Sequence, residues 1–154
     1  MYLAKNKWGY ILLDFIKITE TEMLENKLYK PITGALILVE CNSKYLIGFN
    51  RWRNQWEMPA GGIEYGETPR ECVERELFEE TNQKVANIEF KGIFKIYDEN
   101  KNIIKYQAMY YACTDELKEF AKNDKIYKIM LWDLQSPIKE FDEVDRKMIK
   151  LCLK

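Results

Sequence analysis

The chain has 154 residues, of which 47% are hydrophobic and 32% charged, and its formal net charge is −1. This length is typical of one globular domain, and the balance of apolar and charged residues excludes an intrinsically disordered chain. A nearly neutral chain lacks the basic surface that polymeric nucleic acid or an anionic membrane would require, so we expect neither partner.

The cysteines are widely spaced, and the chain contains no histidine. Because there is no CxxC pair and no histidine, a zinc site is not predicted. We therefore expect Cys41, Cys72, Cys113 and Cys152 to be buried free thiols. No targeting segment and no apolar run of membrane-spanning length is visible, so a cytoplasmic location is expected.

Apolar patterning along the chain predicts a mixed α/β protein. Runs of apolar, aromatic and β-branched residues predict strands at 8–18, 32–40, 44–50, 89–97, 103–113 and 127–134. Residues 140–153 place apolar side chains at helical intervals among charged ones, which predicts an amphipathic terminal helix.

A second helix is predicted over residues 69–81. Thr68 is a suitable N-cap, Pro69 suits the first helical position, and Glu71 stands where it closes a capping box. Asn82 tolerates the left-handed conformation of a C-cap, so the helix should end near Thr81. The segment 61–67 before it is rich in glycine and predicts a turn that lets the backbone approach an anion.

Three carboxylates share one face of this predicted helix, because Glu76, Glu79 and Glu80 stand at i, i+3 and i+4. Like charges so placed repel one another, and a hard divalent cation with oxygen ligands would relieve that repulsion. The alternative interpretation is a solvated acidic helix face without a ligand.

Residues 61–83, GGIEYGETPRECVERELFEETNQ, resemble the Nudix box. The matching positions are Gly61, Glu67, Arg75, Glu76, Leu77, Glu79 and Glu80. The last two positions depart from the pattern, because Asn82 replaces a glycine and Gln83 replaces an aliphatic residue. Asn82 can serve as the C-cap, whereas Gln83 is expected to loosen packing at the start of the next strand. The resemblance implies an α/β/α sandwich with a mixed β-sheet, in a single domain spanning residues 1–154.

The resemblance also implies roles for the residues of the box. Glu76, Glu79 and Glu80 would be the catalytic residues and would bind Mg²⁺, with Mn²⁺ as an alternative, and Glu76 is our choice for the base that activates water. The backbone carbonyl of Ala60 would add a metal ligand. The orienting residues would be Gly61 and the ion pair between Glu67 and Arg75. A further acidic residue would come from the segment holding Asp115, Glu116, Glu119 and Asp124.

Aromatic and basic residues just before the box are candidates for holding a small-molecule nucleotide. Aromatic faces for a base and guanidinium groups for phosphates lie close together there, and one more aromatic residue stands near a predicted hairpin turn. These candidates are Arg51, Trp52, Arg53, Trp56 and Tyr97. The alternative for Trp56 is an ordinary place in the core.

The box leaves the substrate open. Its similarity to MutT-like enzymes, together with the short chain, favours an intact or oxidised nucleoside triphosphate, cut to a monophosphate and pyrophosphate. The PAG sequence and the acidic run at 142–146 favour ADP-ribose or a nucleotide sugar instead. A non-catalytic nucleotide sensor is disfavoured, since all four box glutamates are retained. Both a monomer and a homodimer stay open.

Overall fold

A mixed sheet of nine strands lies at the centre of the computed structural model, which describes all residues from 1 to 154. The strands are β1 Ala4–Lys5, β2 Tyr10–Ile16, β3 Ile32–Cys41, β4 Lys44–Asn50, β5 Gln55–Glu57, β6 Ala60–Gly62, β7 Glu89–Asp98, β8 Ile103–Thr114 and β9 Ile126–Trp132. The helices are α1 Glu20–Glu25, α2 Pro69–Thr81 and α3 Glu143–Cys152. None of these helices has the length and apolar composition needed to cross a membrane.

The strand order is β1-β2-β7-β8-β3-β4-β5, with β6 paired to β3 and β9 paired to β4. Strands β3 and β8 run parallel, and every other pair is antiparallel, so the sheet is mixed. Strand β6 pairs with β3 near the start of that strand, where Gly61 lies opposite Ala35. This pairing brings the start of the box segment to the central strand.

Strand β3 is buried on both faces, which explains its nearly continuous apolar sequence. Leu36 and Leu38 point into a cluster that includes residues of α3, and Ile37 and Val39 point into a cluster that includes residues of α2. The sheet is therefore covered by a helix on each side, and the predicted α/β/α sandwich is confirmed.

The structure contains all six predicted strands, with ends displaced by at most two residues, and both predicted helices. The four short elements β1, β5, β6 and α1 were not predicted. They are two to six residues long, which is too short for an apolar repeat to identify. Helix α1 does carry a local signal, because Thr19 and Glu22 form a capping box at its start.

All four cysteines are free, and three of them are buried as predicted. The prediction for Cys113 is wrong, because this residue is exposed. Cys113 follows Ala112 near the end of β8, and Ala112 is the residue that points into the core. Cys113 lies on the other face of β8, and at this end of the strand that face is exposed.

Candidate active site

Both ends of helix α2 are fixed by the residues that the sequence indicated. The Thr68 side chain accepts a hydrogen bond from the Glu71 N–H at 3.1 Å, and the Glu71 carboxylate accepts one from the Thr68 N–H at 2.9 Å. Asn82 adopts the left-handed conformation, with φ 62° and ψ 24°, and its N–H donates to the Phe78 carbonyl. The register of the three glutamates is therefore set at both ends.

Arg75 connects the loop before α2 to two glutamates of the helix. Its guanidinium donates twice to Glu67, at 2.7 and 2.9 Å, and once each to Glu76 at 2.7 Å and Glu79 at 3.3 Å. The hydrogen bonds from Arg75 lower the pKa of the Glu67 carboxyl to about 2. Glu67 also accepts a hydrogen bond from the Glu64 N–H, so the loop turns back onto Arg75. The two residues expected to pair are thus in direct contact, and their orienting role stays a prediction.

Gly61 lies directly against the side chain of Glu76. A Cβ atom at position 61 would stand 2.1 Å from the Glu76 Cδ, which no real contact allows. Gly61 lies in strand β6 rather than in the predicted glycine-rich turn. Glycine at position 61 therefore makes room for the Glu76 carboxylate, rather than for the external anion that the sequence suggested.

Glu80 is buried beside Lys125. Its Oε1 accepts a hydrogen bond from the Ala60 N–H at 3.0 Å, and its Oε2 lies 2.6 Å from the Lys125 Nζ. Burial raises the pKa of Glu80 to about 7, although Lys125 and the Ala60 N–H act in the opposite direction. Burial also opposes the charged form of Lys125, but the attraction of Glu80 outweighs it and raises the pKa of Lys125. No sequence motif pointed to Lys125.

The three predicted metal-binding glutamates lie along one helix, but their carboxylates do not meet at one point. The Glu79 side chain is 57% exposed, and no group of three or more acidic, histidine or cysteine side chains is gathered tightly enough to hold a metal ion. Glu76 and Glu80 are near one another, since the charge of Glu76 contributes to the raised pKa of Glu80. This pair and the Ala60 peptide supply only oxygen donors, which fits a hard divalent cation.

A cavity of about 370 Å³ opens beside these residues. Its wall nearest the box contains Ala60, Gly61, Gly62 and Lys125. The other lining residues are Asn6, Trp8, Tyr10, Thr33, Gly34, Leu36, Arg53, Glu57, Met58, Ile96, Lys105, Gln107, Asp142, Val144, Asp145 and Met148. The cavity therefore combines aromatic, basic and acidic groups, as a nucleotide site requires. Glu76, Glu79 and Glu80 do not line it themselves. Glu76 and Glu80 contact two residues of its wall, Gly61 and Ala60.

The far wall of the cavity is acidic and is built from both ends of the chain. Asn6 donates to Asp142 at 3.0 Å, and the Trp8 indole N–H donates to Gln55 at 2.9 Å. Asp145 accepts a hydrogen bond from the Met58 N–H, and burial, reinforced by the charge of Asp142, raises its pKa well above the ordinary value. Asp142 and Asp145 lie in the acidic run of the sequence, whereas nothing indicated that residues 6–10 would join them.

Only one of the five proposed substrate-binding residues lines the cavity. That residue is Arg53, whose guanidinium is paired with Glu57 at 3.2 Å. The others are Arg51 and Trp52, which are exposed, Trp56, which packs edge-on against Phe49, and Tyr97, whose hydroxyl donates to Asn102. Tyr97 follows Ile96, a lining residue, so it points to the opposite side of β7.

Gln83 ties the end of α2 to the segment that follows β8. It is buried, and its side chain donates to the carbonyls of Thr81 and Lys118 and accepts from the Lys118 N–H. The prediction that Gln83 loosens packing is therefore wrong, because its amide is fully used in hydrogen bonds. None of the four candidate acidic residues of that segment lines the cavity, and these are Asp115, Glu116, Glu119 and Asp124.

Comparison with known proteins agrees with this fold. The family model described as NUDIX domain matches residues 30–152. The fold is similar to that of a variant of the Bacillus subtilis pyrophosphohydrolase BsRppH, with a TM-score of 0.75 and 18% identity, covering 99% of this chain and 94% of that one. It is similar to the MutT NUDIX hydrolase from Burkholderia pseudomallei, with a TM-score of 0.68 and 14% identity over 79% and 97% of the two chains.

A third similar structure contains ligands. It is the bifunctional NMN adenylyltransferase/ADP ribose pyrophosphatase from Francisella tularensis, complexed with AMP and a manganese ion. The TM-score is 0.65 with 22% identity, over 86% of this chain and 44% of that one. At these identities, the solved structures establish the fold alone. Since the family model covers most of the chain, the chain belongs to the NUDIX family and is a hydrolase of nucleotide anhydrides.

Proposed function

We propose that this protein hydrolyses a nucleoside triphosphate to a nucleoside monophosphate and pyrophosphate, with Mg²⁺ as its metal ion. The observation that carries the proposal is the position of Glu76 and Glu80 behind Gly61 and Ala60, which form the wall of the cavity. A nucleoside held in the cavity would direct its phosphates toward this wall. The solved relatives with MutT and pyrophosphohydrolase in their names support this choice.

Each residue of the site has a distinct task in this proposal. Glu76, Glu80 and the Ala60 carbonyl would hold the metal ion, and the exposed side chain of Glu79 would turn toward them to join. When bound, the ion would supply neutralisation of the phosphate charge and polarisation of the bond to be cut. Glu76 accepts the proton of the attacking water, and its carboxylate is held for this purpose by Arg75. Arg53 supplies positive charge to the phosphates from within the cavity.

ADP-ribose is a second candidate substrate, favoured by the acidic wall of the cavity. A carboxyl group forms hydrogen bonds with the hydroxyl groups of a sugar, and Asp145 lines that wall. Asp142 shapes the wall but is not free to bind, because each of its oxygens already accepts two hydrogen bonds. The similarity to the Francisella protein, whose name includes ADP ribose pyrophosphatase, points in the same direction. With a nucleoside triphosphate as substrate, Asp145 would contact the base or its ribose instead.

A panel of substrates tests the proposal. Purified protein in Mg²⁺ buffer is given nucleoside triphosphates, 8-oxo-dGTP, ADP-ribose, nucleotide sugars and dinucleoside polyphosphates, and the products are identified. Release of pyrophosphate supports the triphosphate proposal, and ribose phosphate from ADP-ribose supports the second candidate. Tight nucleotide binding without any product would instead indicate a sensor.

Matched variants connect that activity to the box. Glu76→Gln, Glu79→Gln and Glu80→Gln should each abolish turnover that depends on Mg²⁺. Glu74→Gln is the control, because Glu74 is an exposed glutamate of the same helix. Unchanged turnover in Glu79→Gln and Glu80→Gln would contradict the proposed chemistry.

We also propose a cytoplasmic location and one domain for residues 1–154. Four free cysteines suit a reducing compartment, and residues before the family match contribute β1 and β2 to the same sheet. Mass measurement of the purified protein in solution distinguishes a monomer from a homodimer.

A further inference from the structure

Lys125 stands outside the box and yet makes the shortest ionic contact with one of its glutamates. Its Nζ lies 2.6 Å from Glu80 Oε2, and both side chains are largely shielded from solvent. The other Glu80 oxygen is occupied by the Ala60 N–H. Both oxygens of a glutamate predicted to bind metal are therefore already satisfied by the protein.

The position of Lys125 is fixed by the backbone around it. Its N–H donates to the Asn123 side-chain oxygen at 3.0 Å, and its carbonyl accepts from the Arg51 N–H at 2.8 Å. The Asn123 amide also donates to the carbonyls of Glu79 and Glu80, both at 3.1 Å. Asn123 thus attaches the Lys125 backbone to the same turn of α2 that carries its carboxylate partner.

The charge of Lys125 acts on more than one carboxylate. The charge of Glu80 has the largest effect in raising the pKa of Lys125, and the charges of Glu76 and Glu57 act in the same direction. Lys125 lines the cavity together with Ala60 and Gly61, and its side chain is 26% exposed. A cation in contact with Glu80 beside this cavity occupies a place where a divalent ion would also be stabilised.

We propose that Lys125 is a built-in counter-ion of Glu80 that a divalent cation displaces, and that the released ammonium group then faces the substrate phosphates. This inference rests on the proposed metal-dependent function. When Glu80 is ionised in the metal-free protein, Lys125 compensates its buried charge, which would otherwise be costly. When the metal binds, two cations cannot share Glu80 Oε2, so the flexible lysine side chain turns into the cavity. Lys125 is a positioning residue in the metal-free state and a phosphate-binding residue in the loaded state.

The first test follows the wild-type protein by NMR while Mg²⁺ is added without substrate. The side-chain Cε resonance of Lys125 is identified by its loss in Lys125→Arg. We expect this resonance to shift together with the backbone amides of Glu76, Glu79 and Glu80, while the resonance of exposed Lys128 stays in place.

The second test measures Mg²⁺ binding by calorimetry at pH 9, where the carboxylates are ionised. Removing the competing charge in Lys125→Met should tighten Mg²⁺ binding about tenfold. Lys128→Met is the matched control, because it removes the same charge three residues away, and its affinity should stay within about twofold of wild type. Lys125→Arg keeps the charge and should bind Mg²⁺ like wild type.

Either of two results overturns the inference. One is a Lys125 resonance that does not move while the glutamate amides shift, and the other is a Lys125→Met variant that binds Mg²⁺ no more tightly than Lys128→Met. The wild-type NMR result stands even if Lys125→Met does not fold. Failure of Mg²⁺ to shift any of the glutamate amides would instead contradict the metal dependence of the proposed function.

Discussion

Gly61 and Glu76 are in such close contact that a side chain at position 61 would have to displace the Glu76 carboxylate, since a Cβ there would lie 2.1 Å from the Glu76 Cδ. Gly61→Ala should push this carboxylate away from the cavity wall and lower kcat by at least about a hundredfold. The neighbouring Gly62→Ala is the control, because its Cβ would meet only the Thr33 carbonyl at 3.8 Å. Steady-state kinetics compare the two variants, and equal activity would contradict the steric argument.

Arg75→Gln should lower kcat by about 10- to 100-fold with little change in KM, because the role we propose for Arg75 is to orient Glu76 and Glu67, and Arg75 does not line the cavity. Arg70→Gln serves as the control on the same helix. Arg70 is paired with Glu20 at 2.7 Å, away from the site, so this variant should reduce stability but keep kcat. A similar loss of kcat in both variants would mean that Arg75 supports activity only by stabilising the fold, and not by orienting Glu76.

The buried carboxyl of Glu80 should make the stability of the metal-free protein depend on pH. Burial raises the pKa of Glu80 from 4.5 to about 7, so the native state holds a proton that the unfolded chain has released. The resulting stabilisation is complete below pH 4.5 and is lost as the pH rises through about 7.

Urea unfolding in EDTA measures this effect. Relative to Glu80→Gln, the wild-type protein should lose about 3 kcal/mol of unfolding free energy between about pH 4.5 and 8. Glu79→Gln is the control, since the Glu79 side chain is mostly exposed. Parallel pH profiles for wild type and Glu80→Gln would show that Glu80 is solvated.

The cavity predicts which aromatic residues bind substrate. Tyr10→Ala should raise KM about tenfold or more, because the Tyr10 ring lines the cavity and its loss removes contact area. Trp52→Ala should leave KM unchanged, because Trp52 is 70% exposed and lies outside the cavity. If Trp52→Ala raises KM and Tyr10→Ala does not, the substrate binds at the aromatic segment around Trp52, as the sequence suggested.

The C-cap of α2 should be sensitive to the side chain at position 82. Asn82→Ala should destabilise the fold by about 1–2 kcal/mol, since alanine resists the left-handed conformation and cannot donate to the Glu119 carbonyl. Asn82→Gly removes only the hydrogen bond and should lie between alanine and wild type. Thermal or urea unfolding ranks the three proteins, and a glycine variant less stable than alanine would contradict this explanation.

The sequence predicted α2 and its caps well because those signals are local. Thr68, Glu71 and Asn82 act on backbone atoms within four residues of themselves. The partners of the glutamates were not predictable in this way. Lys125 reaches Glu80 only because β9 pairs with β4, and Gln83 finds its hydrogen bonds 35 residues further along the chain. Contacts of this kind depend on which strands pair in the sheet, and the spacing of residues in a single sequence does not predict that pairing.

The hydrogen bond between Asn6 and Asp142 joins residues 136 positions apart, and it closes the far wall of the cavity. The far wall of the cavity therefore depends on both β1–β2 and α3 being packed on the sheet, whereas the box glutamates are held by α2 alone. A change that loosens α3 would open the cavity while it leaves the glutamates on their helix.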